Sequence, residues 1–473
     1  MTALRLSILY HFPDQWTIFD FYAIVSCYYK DDMKILHINK YYFLKGGAER
    51  YMLDLMDIQK AAGHEVAIFA MEDERNLPTP WSAYFSEPLQ TNSQYPHIPI
   101  SQYLRSAVRF IYNREAQKKL ADLLDTFKPD IIHLHNYYHQ LSTSILCPIR
   151  QRNIPVVQTL HDYHLIDPTY KLFCNGQVCE PSPLASPRGP MAIGPWSKNI
   201  TESWRLVANR CIQQSYLASA LEAIESWYSR TRGGSWTTPD RFIAPSEFLR
   251  KKCIEFGVPS EKITTLNYTF RRIPSDSGQA RMTTHDEATD YKLQANSSVL
   301  YVGRLDDTKG VDVLLRAFVK LPDLKLDIVG DGPGRKQLEQ LTRNLHLTNV
   351  TFVGWKSKEE INEYYRHCAF IVVPSIWYEV FGLVILEAAQ WKKTAIASSI
   401  GGIPEVLEHG KHGMLVPAGN VDALTQRMEW LATHPLEQQR MGENAYRELE
   451  RFESEKHWER LKEIYDEIIQ KKK

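Results

Sequence analysis

Short apolar runs alternate with stretches of helical period through both halves of the chain, an alternation that predicts βαβ units and parallel sheets. The runs place strands at 33–39, 64–70, 130–134, 154–159 and 241–244 in the first half. In the second half they place strands at 298–302, 324–329, 350–353, 369–373, 394–397 and 414–416. Residues 271–296 are polar, lack a period and contain Pro274, so they predict a linker. A second irregular stretch, 163–203, carries Pro168, Pro181, Pro183, Pro187, Pro190 and Pro195 and predicts a functional loop or lid. The charged stretch 435–470 reads as helical, with Tyr446, Phe452, Trp458 and Tyr465 supplying its apolar contacts.

The pattern divides the chain into a first domain over 33–270, the linker, a second domain over 297–435, and C-terminal helices over 436–473 that return to the first domain. Residues 1–32 show no period, and Met33 opens directly onto a buried strand. The expectation is that Met33 is the native initiator and that 1–32 form no part of the fold.

A length of 473 residues with 44% hydrophobic composition agrees with two domains. The net charge of zero gives no global field for nucleic acid. Seven scattered cysteines do not form a disulfide framework and fit a reducing, cytoplasmic setting. Cys174, Cys179 and Cys211 bracket the irregular stretch; as three unmatched thiols they are expected neither to pair nor to bind zinc. No apolar run approaches the roughly 18 to 20 residues of a membrane span, so membrane contact is expected to be peripheral.

Candidate chemistry lies after predicted strands, where open α/β sheets bind ligands. Gly303-Arg304-Leu305-Asp306-Asp307-Thr308-Lys309-Gly310 follows one strand, and its two cations with helix N-terminal amides suit a diphosphate. A solvated turn is the alternative. Further on, Glu379 and Glu387 stand eight positions apart in a block containing Val380-Phe381-Gly382. Both can face one cleft if a helix begins near Phe381. Glu387 lies in an otherwise apolar helix and needs a hydrogen-bonding partner, for which a ribose diol is suitable.

With Pro374-Ser375 before it, this block resembles glycosyltransferase family 4, the retaining, group 1 type. The resemblance extends to the Gly-Arg-Leu…Lys-Gly turn, to Val329-Gly330-Asp331-Gly332-Pro333 and to Gly401-Gly402-Ile403-Pro404-Glu405. It implies an α/β, GT-B architecture: two Rossmann-like domains with parallel sheets facing across a cleft. It also implies that Arg304 and Lys309 hold the donor diphosphate, that Glu387 meets the ribose, and that Glu379 meets the transferred sugar beside Val380, Phe381 and Gly382.

In the first half, Gly46-Gly47 opens a helix whose amides can face a phosphate or acceptor, or is simply a permissive turn. His161 ends the strand 154–159, and the resemblance implies that it touches the donor sugar. Asp162 either orients it or caps the turn. His133, His135 and Asn136 are candidates for acceptor contacts. The segment 101–125 sets Leu104, Ala107, Val108 and Ile111 on one face with Arg105 and Arg109 elsewhere, which suits either packing on the first sheet or an anionic membrane. Gly330-Asp331-Gly332-Pro333-Gly334 has the wrong spacing for a dinucleotide fingerprint, and no ligand spacing announces a metal.

The expected function is retaining transfer of a hexose-type sugar from a nucleotide-diphosphate sugar to a glycan or lipid-linked acceptor, with no cofactor or metal, in cell-surface polysaccharide or lipopolysaccharide biosynthesis. A nucleotide-sugar epimerase of the same fold and a non-catalytic nucleotide-sugar or glycan binder are the alternatives.

Overall fold

The computed structural model describes residues 32–89, 100–178, 206–212, 214–270 and 298–472. The expectations for residues 1–31, for the linker and for residues 179–203 of the irregular stretch lie outside the described residues.

The first sheet contains β1 (Lys34–Ile38), β2 (Glu65–Phe69), β3 (Ile131–Leu134) and β4 (Val156–Thr159). After a two-residue hairpin, β5 (Phe173–Cys174) and β6 (Gln177–Val178), it is completed by β7 (Arg241–Ala244) and β8 (Ile263–Thr265). Its order is β2-β1-β3-β4-β7-β8, every pair parallel. The second sheet takes β9 (Val299–Val302), β10 (Leu326–Val329), β11 (Val350–Gly354), β12 (Ile371–Val373), β13 (Ala395–Ser398) and β14 (Gly413–Val416). They lie in the order β11-β10-β9-β12-β13-β14, again all parallel. The central strands are buried on both faces, as β3 and β4 are throughout, because helices cover a parallel sheet on both sides. The chain is therefore α/β with two parallel sheets, as expected.

β8 has no counterpart among the strands expected from sequence. It is three residues long and sits at the sheet edge with only Ile263 fully buried, so its apolar signal is slight. The cysteine expectation is corrected as well: Cys174 and Cys211 are joined in a disulfide, with Cα atoms 5.5 Å apart. The hairpin turn brings Cys174 beside the segment preceding the helix Tyr216–Tyr228, a proximity that sequence spacing cannot show.

One apolar cluster runs from Ile35, Tyr51 and Leu55 through Phe381 and Leu386 to Leu461 and Tyr465. It is continuous because the chain re-crosses at Phe452, whose carbonyl accepts from the Phe270 amide at 2.8 Å. The helix Ser454–Lys472 then lies on the helix Gly47–Ala61, burying Trp458, Leu461, Ile464, Tyr465 and Ile468. Its far end is fixed by Lys472 Nζ at 2.7 Å from Asp240 Oδ2.

Candidate functional site

The turn after β9 is drawn against the end of β12 by Gly310. This residue has φ +64°, and a Cβ there would stand 2.0 Å from the Pro374 carbonyl oxygen. The close approach carries Lys309 to the block at 374–389. Lys309 Nζ lies 2.6 Å from Glu379 Oε1, the same oxygen that accepts from Ser375 Oγ at 2.6 Å. Burial pushes the Glu379 carboxyl up, but the Lys309 charge and the hydrogen bonds from Lys309 and Ser375 outweigh it and hold the group below its ordinary value. Arg304 is different. Its side chain is 67% exposed and its nearest acid is Asp306, at 3.6 Å.

Glu379 and Glu387 do not share one helix. Gly382 adopts φ +107° and the helix begins only at Leu383, so Glu379 lies in the loop beneath it. Glu387 accepts from Tyr365 Oη at 2.8 Å, and its other oxygen is 3.5 Å from Arg50 Nε of the first domain. The latter spacing is longer than a hydrogen bond. Glu387, Arg50, Tyr365, Lys358, Leu383 and Trp391 line a cavity between the sheets. Val380 and Phe381 are buried: the Val380 carbonyl accepts from Ser246 Oγ at 2.7 Å, and Phe381 packs edge-on to Tyr268.

The first domain closes on this surface. Gly47 opens the helix Gly47–Ala61, and a Cβ on it would stand 3.2 Å from Leu383 Cδ1. Glu405 reaches back, its two oxygens each accepting at 2.7 Å from the amides of Glu247 and Phe248, which open the helix Glu247–Glu255.

His161 ends a line of rings. Gln59 Nε2 is turned to Tyr465 Oη, so Gln59 Oε1 accepts from His37 Nε2, 2.6 Å away. His37 Nδ1 then accepts from His135 Nε2 at 2.9 Å, and His135 Nδ1 from His161 Nε2 at 2.9 Å. Tyr268 Oη completes the line by donating to His161 Nδ1 at 2.6 Å. Both nitrogens of His161 are engaged, and burial lowers its pKa to about 3, so the ring is neutral. Asp162 Oδ1 accepts from the His164 amide at 2.9 Å, which settles its role as a turn cap.

His133 and His135 are fully buried, which corrects their expected contact with an acceptor. β3 is a central strand whose face is roofed by the C-terminal helix, and His133 is hydrogen-bonded to Tyr465 Oη and Thr159 Oγ1. Asn136 lies just past β3, half-buried, its amide donating to Asn39 Oδ1 at 3.0 Å. Sequence reasoning gave no role to Arg50, Tyr365 or Ser375, although Arg50 follows Gly46-Gly47 by three residues and Ser375 belongs to the motif that carries the resemblance. It also passed over Lys45, whose pKa is lowered by burial and further by the charge of Arg304.

Residues 45–267 match the profile of Glycosyltransferase Family 4, and residues 291–448 match that of Glycosyl transferases group 1. An uncharacterised glycosyltransferase of Methanocaldococcus jannaschii is 31% identical over 232 residues, 49% of this chain and 61% of that protein. Alpha-D-kanosaminyltransferase of Streptomyces kanamyceticus is 31% identical over 197 residues, 40% of this chain and 50% of that protein. The chain thus spans about half to three-fifths of the length of these curated relatives. Among solved structures, Anabaena HepE in complex with UDP-glucose superposes with a TM-score of 0.59 at 18% identity, covering 92% of this chain and 100% of that one. Sucrose-phosphate synthase of Thermosynechococcus elongatus gives 0.64 at 19% identity, covering 92% and 99%. These likenesses establish the GT-B fold.

Proposed function

Because this chain belongs to the group 1 glycosyltransferases of family 4, we propose that it moves a hexose-type sugar from a nucleoside-diphosphate donor to a glycan or lipid-linked acceptor, with retention at the anomeric carbon. The observation that carries the reading is the Lys309–Glu379 pair at the edge of the second sheet, with exposed Arg304 on the same turn. The departing diphosphate gathers negative charge, and Arg304 and Lys309 counter it where it grows. Those two cations need no metal beside them. Glu387 takes the ribose from the wall of the cavity it shares with Arg50, and Glu379 orients the sugar hydroxyls. His161 contributes through its ring edge and backbone, since both its nitrogens are engaged.

The acceptor side favours a membrane-borne substrate. Leu104 and Val108 of the helix Ile100–Ile111 are 60% and 66% exposed, rather than packed on the sheet. Leu217, Ile224 and Trp227 of the neighbouring helix Tyr216–Tyr228 are exposed too. Paired apolar faces of this kind bind a lipid surface. Among the described residues no helix is long and apolar enough to cross a membrane. Cell-surface polysaccharide or lipopolysaccharide assembly is the setting this reading implies.

A panel of nucleotide sugars, assayed by nucleotide release with and without lipid extract, tests the reading. Extract-dependent release with a product whose anomeric proton keeps the donor's configuration by NMR is the expected result. Epimerisation without extract, or an unchanged donor across the panel, would overturn it.

A further inference from the structure

Glu222 and Glu225 stand one turn apart on the helix Tyr216–Tyr228 with both carboxylates turned inward, 2% and 0% exposed. They meet His139, from the loop after β3, and His164, from the loop after β4. One donor atom from each of the four lies within 4.8 Å of the other three. His139 Nε2 is 3.1 Å from Glu222 Oε1, and His164 Nε2 is 3.6 Å from Glu225 Oε2 and 3.9 Å from Glu222 Oε1. Four ligands held tetrahedrally on bonds of 2.0–2.1 Å stand about 3.4 Å apart. The observed separations straddle that spacing.

His139 and Glu222 are hydrogen-bonded to each other, but the rest of the cluster is not satisfied from within. Neither oxygen of Glu225 nor Nε2 of His164 has a hydrogen-bond partner among the described residues, although all three atoms are shielded from solvent. Two carboxylates this deeply buried cost several kcal/mol unless neutralised, and the cations that face them are Arg230 and, when protonated, His139. The other buried trio, His37, His133 and His135, offers no such vacancy. Each of its ring nitrogens is already hydrogen-bonded, and no carboxylate joins it.

The geometry points to a divalent metal site formed by His139, His164, Glu222 and Glu225, which takes a borderline ion of the Zn²⁺ class and fastens the helix Tyr216–Tyr228 to the carboxyl edge of the first sheet. Two imidazoles and two carboxylates suit such an ion, and four protein ligands make a closed, structural site. Phe110 of the helix Ile100–Ile111 stacks on His139 at 4.3 Å, so the ion also steadies the second apolar helix. The site stands apart from glycosyl transfer: it holds, from beneath, the two helices whose outer faces present Leu104, Val108, Leu217, Ile224 and Trp227.

The test strips the full-length protein with a chelator, dialyses it and titrates it with Zn²⁺ alone. One equivalent should bind and raise the melting temperature, chelator should reverse the rise, and Co²⁺ in its place should give the visible absorption of a four-coordinate site. Glu225→Gln and His164→Gln should weaken Zn²⁺ by at least about 100-fold. Should those buried variants fail to fold, His139→Ala, at the most exposed ligand, should show the same loss, while His367→Ala on the surface leaves the stoichiometry unchanged. No stoichiometric Zn²⁺ and no thermal shift in the wild type would overturn the assignment, as would undiminished binding in His139→Ala. The four side chains would then form a metal-free network in which protons neutralise the acids.

Discussion

Lys309 and Glu379 form a nearly buried ion pair, Nζ to Oε1 2.6 Å, in which the cation assigned to the donor diphosphate is also the counter-charge of an interior carboxylate. Lys309→Met therefore strands Glu379 and should cost about 3 kcal/mol of stability as well as nearly all turnover. The double variant Lys309→Met with Glu379→Gln should regain much of the melting temperature and none of the activity. If turnover returned with stability, the pair would be structural only.

Arg304 separates the two effects. With its side chain 67% exposed, Arg304→Ala should change stability by less than about 0.5 kcal/mol while raising the donor KM and lowering kcat. Calorimetry beside a donor titration reads both, and an unaltered donor dependence would remove Arg304 from the diphosphate site.

Gly310→Ala should be among the most damaging single-methyl changes in the second domain. It combines a left-handed φ of +64° with a Cβ placed 2.0 Å from the Pro374 carbonyl oxygen, so the turn must open and carry Lys309 away from Glu379. Loss of more than about 2 kcal/mol in urea denaturation is expected. A variant of wild-type stability and activity would show that the turn holds Lys309 without that close contact.

The buried rings predict acid lability. Burial lowers His37 to about 4, His161 to about 3 and His457 to about 4, against an ordinary value of 6.5, so unfolding takes up protons below that value. The stability these neutral rings contribute is complete above pH 6.5 and is lost as pH falls toward about 4. Urea midpoints measured across that window should fall steeply, and His161→Gln should flatten the slope by about one proton. An equal slope in the variant would place the acid sensitivity elsewhere.

Much of the fold was legible because strands buried on both faces, such as Ile371–Val373, read as unbroken apolar runs. An edge strand such as Ile263–Thr265 leaves no such run. At the site, residue identities were readable but their company was not. The left-handed Gly382 that parts Glu379 from Glu387 has no signature beyond being glycine, and Tyr465, which occupies His133, lies 332 residues away. The company of Glu222 and Glu225 is set by the loops after β3 and β4, which bring His139 and His164 onto them.

The helix Ser454–Lys472 roofs the first sheet, its Tyr465 bonded to His133 and its His457 to Tyr51. On the ribosome, then, the domain translated first is finished last. Until Ile468 has emerged, the faces of Tyr51, Leu55 and the histidine rings stand open to water, so nascent chains paused between the two domains are the form that chaperones and proteases should recognise.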